Sequence, residues 1–371
     1  MNTFSGKAEY FLQLLEQRFG LFFSSLIAGF CILCGAMLFV QPSFQVSFHG
    51  VGFSALSSNP FDFHSGNPLQ YRILSPLLGY VLFLRGKLFF ILPLLFAVFL
   101  PAAVYYQYRK KGFNPLEAFV MMCLVSFSVT LLIPITSPGY TDTVTFFFLF
   151  LSFVNVRRKV ISALYFALAL LNHESSLVVL PGLIWYSFLE NKNSVSNRIA
   201  SVLLLLSACI PYFIYRWYVS SQTEVLYSLG FYLEDKNIET ATKYLFHFLP
   251  AAVFYAFRLF WFFPVYAAAV FLRQKKFGRV AFILIIMAGV IAQLFIAFDF
   301  TRMIALAFPV VLVSAEQVRE WWGAQKFVRF SFLLTAFNFF ILQYYVSHEG
   351  MNALFPWFYN LIAAWCGHPY T

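Results

Sequence analysis

Charged side chains are scarce in this chain: they make up 11% of its 371 residues, against about a quarter in an ordinary soluble domain. That shortage excludes a conventional water-soluble fold. With 61% hydrophobic residues and a mean hydropathy of +0.76, it leaves a membrane as the solvent. Cysteine is rare too. The five (Cys31, Cys34, Cys123, Cys209 and Cys366) lie mostly inside apolar runs, and the Cys31/Cys34 pair has no second pair to complete a zinc site, so they read as packing residues. No single basic face exists either, because the net charge of +10 is carried by short clusters between apolar runs. Such clusters are topology signals, and they argue against a nucleic-acid partner. No cleavable signal is expected either: 1–20 carries acids as well as bases, and no small-residue site follows the first apolar run. The first span is therefore expected to stay as an anchor.

Phenylalanine is what the chain has in plenty, at 51 residues, and with Tyr and Trp it suits contact with membrane lipids and the interfacial belts. Apolar runs fall at 20–41, 88–107, 116–135, 143–156, 160–171, 175–189, 199–219, 246–271, 280–298, 303–315 and 328–347. They predict an all-α integral membrane protein of about 11 transmembrane helices, forming one membrane domain over 1–371. Threaded from a cytoplasmic N-terminus, the clusters Arg109/Lys110/Lys111, Arg157/Arg158/Lys159, Lys192/Arg198, Arg273/Lys275/Lys276/Arg279 and Arg319/Lys326/Arg329 all fall inside, as the positive-inside rule requires. The opposite side receives a long first loop over 42–87, apices at 140–143, 172–175 and 299–302, a loop at 220–244 and the tail after 347. All six His residues (His49, His64, His173, His247, His348, His368) fall there as well. Within the first loop, 73–84 is too short to span and is expected to form a re-entrant or interfacial helix.

Four runs (143–156, 160–171, 175–189, 303–315) are short for a bilayer: 12 to 15 residues give roughly 18 to 22 Å of helix against a hydrocarbon core of about 30 Å. Their polar apices are then recessed, and charge at that depth needs a partner or water. The expectation is a hydrated cavity opening outward and lined by the apices, with no matching buried charge on the cytoplasmic side.

The residues able to do chemistry sit at those apices. The segment 59–76 holds Asp62, the one acid of the first loop, with His64, Tyr71 and Arg72. A carboxylate serves as general base toward a hydroxyl, and a guanidinium clamps a phosphate as a fork. The plainer alternatives are an Asp capping a turn and an Arg on lipid headgroups. Asp142 opens a helix after Pro138-Gly139, where the macrodipole alone would favour an acid. His173-Glu174 caps the next hairpin, and Asp299 and Arg302 form a local pair that could simply neutralise itself. Arg216 and Arg258, in the outer halves of spans, either snorkel to headgroups or reach a phosphate. By ligand type, His173, Glu174, Asp142, Asp62 and His64 would suit a divalent metal, although the chemistry requires no cofactor.

The order of one span, a long outer loop with an acid, Gln70-Tyr71-Arg72-Ile73-Leu74-Ser75-Pro76, an apical Asp142 and His173-Glu174-Ser175 resembles the polytopic GT-C glycosyltransferases, particularly their bacterial integral-membrane branches. The resemblance covers about the first 190 residues. It implies an inverting transferase in the bacterial inner membrane that takes a sugar from a polyprenyl-phosphate donor to a lipid-linked, glycan or protein acceptor outside the cytoplasm. It further implies an acid of the first loop as base, matched by Asp62, and an Arg on the donor phosphate, matched by Arg72; Asp142 is the other candidate base. The paired acids usual at the start of the first loop, and a large soluble C-terminal domain, have no counterpart here. Two other classes fit the composition: a transporter or flippase of a lipid-linked or anionic substrate, and a surface-polysaccharide polymerase or ligase. The one-sided charge weighs against the first, and the acidic 220–244 segment against the second.

Overall fold

The structure is a computed structural model, and it describes residues 2–41, 47–191, 195–222 and 234–356. Helix α1 (Asn2–Phe39) bends at Gly20. The first loop follows, with α2 (Phe48–Ser58) and α3 (Leu74–Val81) packed against each other, both too short to span. Then come α4 (Ile91–Lys110), α5 (Pro115–Ser126), α6 (Val129–Thr136), α7 (Asp142–Val154), α8 (Lys159–Asn172) and α9 (Leu180–Glu190). The second half adds α10 (Val195–Ser207), α11 (Ile210–Gln222), α12 (Asp235–Phe257), α13 (Phe262–Arg273), α14 (Phe277–Gln293), the short α15 (Phe300–Ile304), α16 (Phe308–Trp322) and α17 (Ala324–Phe340). An antiparallel hairpin of β1 (Gln343–Ser347) and β2 (Gly350–Leu354) closes the described chain.

Among the described residues, five helical segments are long and apolar enough to cross a membrane: Gly6–Phe39, Gly86–Lys110, Val195–Gln222, Asp235–Arg273 and Phe300–Trp322. The pair α5 and α6, bent by 54°, makes up to a sixth. The expected eleven spans are therefore not all found. Helices α7, α8 and α9 hold 13, 14 and 11 residues, roughly 20, 21 and 17 Å, too short to cross a core of about 30 Å alone. The run expected at 328–347 changes character midway, because α17 stops at Phe340 and the next residues pair as strands. The loop expected at 220–244 is partly helix from Asp235, an acid in the first turn where the macrodipole favours it; residues 223–233 lie outside the described ones.

Two polar layers bracket an apolar core. In one, Arg109 donates through two nitrogens to Glu16 (2.7 and 2.6 Å), Arg319 to Glu117 (2.7 and 3.0 Å), and Arg157 and Arg279 share Glu190 (2.7 and 2.8 Å). Glu117 is 1% exposed and also closes the capping box with Asn114 that starts α5. Buried charge at this end was not expected from the sequence. It is tolerated because each acid has a guanidinium on it. Between the layers α7 and α8 present Phe146, Leu149, Phe150, Phe166 and Leu170, with Ser152 and Ser162 hydrogen-bonded to each other.

One cation lies inside the core. Arg258, 2% exposed, occupies the break between α12 and α13 at φ +49. Its guanidinium donates to the carbonyls of Asn338 and Ile341 (2.9 Å each) and Phe127 (2.6 Å). These carbonyls sit at the C-terminal ends of α17 and α5, where the helix dipole is negative. Arg258 thus neither snorkels nor reaches a phosphate.

Candidate functional site

The second polar layer is built at the opposite ends of α7 and α8, one turn of backbone at a time. Helix α2 is seated on the turn before α7 through Ser47, whose N–H and hydroxyl both donate to the Pro138 carbonyl at 3.1 Å. The seat is tight: Gly139 has φ +96, and a Cβ there would lie 2.3 Å from the Gly50 Cα. Only glycine meets both conditions. Asn172, fully buried at the end of α8, donates to the Thr141 carbonyl (2.9 Å) and the Thr145 hydroxyl (2.7 Å) and accepts from Ser75 of α3. The starts of α3 and α7 and the end of α8 are thereby locked together, which puts Arg72, Asp142 and His173-Glu174 side by side.

Arg72, 9% exposed, forks onto Glu174: Nε to Oε2 at 2.9 Å and Nη2 to Oε1 at 2.6 Å. Arg302 in α15 lies between two acids. Its Nη1 donates to Asp299, and its Nε is 3.0 Å from Asp142 Oδ2. That second pair is electrostatic in character, since the Nε–H does not point along the line to the oxygen, and both atoms are buried without a directed hydrogen bond. Tyr345 of β1 donates to the other Asp299 oxygen. The Arg302 guanidinium covers the Tyr140 ring at 4.5 Å, and the His49 ring lies against the same tyrosine at 4.8 Å.

His173 stands between two donors. The Ser175 N–H donates to Nδ1 at 3.2 Å, and an N–H of Arg302 Nη2 points at Nε2 at 3.4 Å. A neutral ring has one acceptor nitrogen, so the two donors compete for it, and the Arg302 N–H is one that an anionic oxygen can take over.

The electrostatics of the connecting segments agree with this geometry. Burial, and then Arg302 and Arg72, push the His49 imidazole down to about 3. Burial and Arg72 drive His173 well below the ordinary histidine range. For Glu174 burial acts upward, but the Arg72 guanidinium, by its charge and its hydrogen bonds, outweighs it and holds the carboxyl below its usual range. Asp299 is likewise lowered, by Arg302 and by the Tyr345 hydroxyl against burial. Burial raises Tyr140 to about 12.

Of the residues expected at the site, Arg72, Asp142, His173, Glu174, Asp299 and Arg302 meet here. Tyr71 is buried alongside, its ring covered by Arg216. Asp62 lies in the turn before the short helix Phe63–Ser65, where its carbonyl accepts from Ser65 (2.9 Å) and Gln70 (2.5 Å). The His64 side chain lies outside the described residues. Asp142 makes no cap hydrogen bond but lies in the first turn of α7, where the macrodipole favours an acid. His49 and Tyr345 were not singled out from the sequence, because neither has a charged neighbour in the chain to mark it. The expected open cavity takes a closed form, with acids and guanidinia paired on one another. Two clefts, of about 380 Å³ at Gln13, Glu16, Gln17, Leu21 and Arg109 and about 310 Å³ at Leu189, Lys276, Gly278, Arg279 and Gln317, lie at the other polar layer. Among the described residues no three His, Cys, Asp or Glu side chains converge as a metal requires; the carboxylates face guanidinia instead.

No protein-family model matches the chain, and no curated protein is similar to it.

Proposed function

We propose that this chain is a membrane glycosyltransferase of the GT-C kind, acting on a polyprenyl-phosphate sugar at the non-cytoplasmic face of a bacterial inner membrane. The observation that carries the proposal is the meeting of Arg72, Arg302, Asp142, Glu174 and Asp299, brought from distant parts of the chain to one end of an otherwise apolar bundle. Ionisable side chains at membrane depth that converge from distant parts of a chain are read first as a functional site. The basic clusters of the opposite layer mark the cytoplasmic side, with the N-terminus among them.

In this scheme Asp142 is the base. Its carboxylate takes the proton of an acceptor hydroxyl while that oxygen's electron pair forms a bond to the anomeric carbon. The bond from that carbon to the phosphate oxygen breaks, and its pair leaves with the phosphate. Arg302 and Arg72 donate to the departing phosphate, in a setting of low dielectric where such donors count most. Asp142 is preferred to Asp62 because it stands against Arg302 in the paired group. No step calls for a metal. A carrier is less well supported, since between their ends α7 and α8 carry no Asp, Glu, Lys, Arg or His, and the core cation Arg258 is taken up by three backbone carbonyls.

The deciding measurement is sugar transfer from a synthetic polyprenyl-phosphate sugar by purified protein. Asp142→Asn is expected to lower turnover by about 10² or more, the usual contribution of a general base, while Asp62→Asn keeps most of it. Full activity in Asp142→Asn sinks the assignment of the base, and absence of transfer by the unaltered protein with every such donor sinks the class.

A further inference from the structure

Helix α11 carries two faces at helical spacing. Ile210, Phe213, Ile214 and Trp217, spaced i, i+3, i+4, i+7, are 54, 53, 60 and 73% exposed. Tyr212, Tyr215, Arg216 and Val219 face the protein, where Tyr215 donates to the Gln70 carbonyl (2.9 Å) and the Ser220 and Tyr71 hydroxyls share a hydrogen bond (3.0 Å). Arg216 is the one charged residue of this helix. Its guanidinium lies 4.1 Å over the Tyr71 ring and donates to the Tyr212 hydroxyl at 2.7 Å. Among the described residues no carboxylate pairs with it, whereas Arg72, Arg109, Arg157, Arg279, Arg302 and Arg319 each have one.

Among the described residues the cation is thus held in place without being neutralised. It lies beside the polar layer that holds Arg72, since Tyr215 and Ser220 of the same helix bond Gln70 and Tyr71, the two residues that precede Arg72.

We infer that Arg216 binds the phosphate of an anionic phospholipid drawn in sideways from the bilayer, with the acyl chains lying on Phe213, Ile214 and Trp217. Tyr71 and Tyr212 fix the guanidinium so that one edge serves the protein and the other the phosphate. The aromatic stripe supplies the apolar contact that an unattached phosphate would not use. This site does not depend on sugar transfer.

Trp217 reports on it directly. The protein is placed in vesicles of brominated phosphatidylglycerol or brominated phosphatidylcholine, and the Trp217 signal is taken as the difference from Trp217→Phe. Quenching per lipid should favour the anionic headgroup about fivefold, as one basic residue at an anionic surface gives. Arg216→Lys should keep most of that preference and Arg216→Gln should lose it; both retain α11 through Tyr215 and Ser220. Equal quenching by the two lipids overturns the site. So does loss of the preference in excess inorganic phosphate, which would make the ligand a free anion.

Discussion

Arg72 and Glu174, 102 positions apart in sequence, hold each other through two parallel hydrogen bonds of 2.9 and 2.6 Å. The fork joins the first loop to the α8–α9 connection and fixes the orientation of both charges.

Arg72 is buried and Glu174 partly so, and removing one partner strands the other at a cost below the ~3 to 5 kcal/mol of a fully buried pair. Glu174→Gln and Arg72→Gln should each lower the thermal midpoint of detergent-solubilised protein. The double variant Arg72→Gln/Glu174→Gln should be more stable than the sum of the two losses predicts. Simple additivity across that cycle would mean the two side chains do not interact in the folded protein.

Orientation is expected to follow the basic clusters. Reporter tags after Arg158 and after Lys276 should read cytoplasmic, and one after Gly230 should read the opposite side. Placing Arg158 and Gly230 on one side breaks the scheme and removes the proposed face of action.

Stability should form a plateau between about pH 6.5 and 10. His49 has a folded value of about 3 against its ordinary 6.5, so the unfolded chain binds the extra proton first and stability declines as pH falls from 6.5 toward 3. Glu174 and Asp299, both held low, add their losses below their ordinary 4.5 and 3.8. Tyr140, raised to about 12 from 10.0, holds its proton in the fold, so stability is full below 10 and falls as pH rises past it. His173, also held well below its ordinary 6.5, adds a loss of stability over the same range. A pH series of thermal midpoints tests this, and His49→Asn should make the limb between pH 6.5 and 4.5 shallower without abolishing it. An unchanged limb would show that the imidazole titrates normally.

Gly139→Ala and Gly66→Ala both force an alanine to positive φ, at +96 and +62, but only the first meets backbone, at 2.3 Å. Gly66→Ala should cost about 1 kcal/mol. Gly139→Ala should cost more and unseat α2, read as faster proteolysis at 47–58. Equal costs would argue that Gly50 yields readily.

Composition made the membrane class legible, and the apical residues could be found because charge is so rare that each acid between apolar runs stands out. Asp142, Glu174, Asp299 and Arg302 were visible for that reason. The span count was not legible, because hydropathy marks an apolar run without saying whether it crosses, stops short or, as at 343–347, becomes a strand. His49 and Tyr345 enter the site through tertiary packing alone: His49 through the Gly50–Gly139 contact, and Tyr345 through a hairpin held to α15 by Thr301 and Val346. Glu117 carried no sequence mark of its burial, because its partner Arg319 comes 202 positions later.

The carbonyl cradle around Arg258 bears on how the protein is made. Phe127 is 131 positions behind that arginine and Ile341 is 83 ahead of it, so during synthesis the guanidinium enters the bilayer before two of its three acceptors exist. Until α17 is inserted, the nascent chain carries a cation with unfilled donors in hydrocarbon. Helix α17 therefore acts as a completion signal for this cradle, and a polypeptide without it is chemically distinguishable from one that has it. A chain stopped after Gly323 should be cleared faster in pulse-chase than the full chain, and Arg258→Leu should narrow that gap.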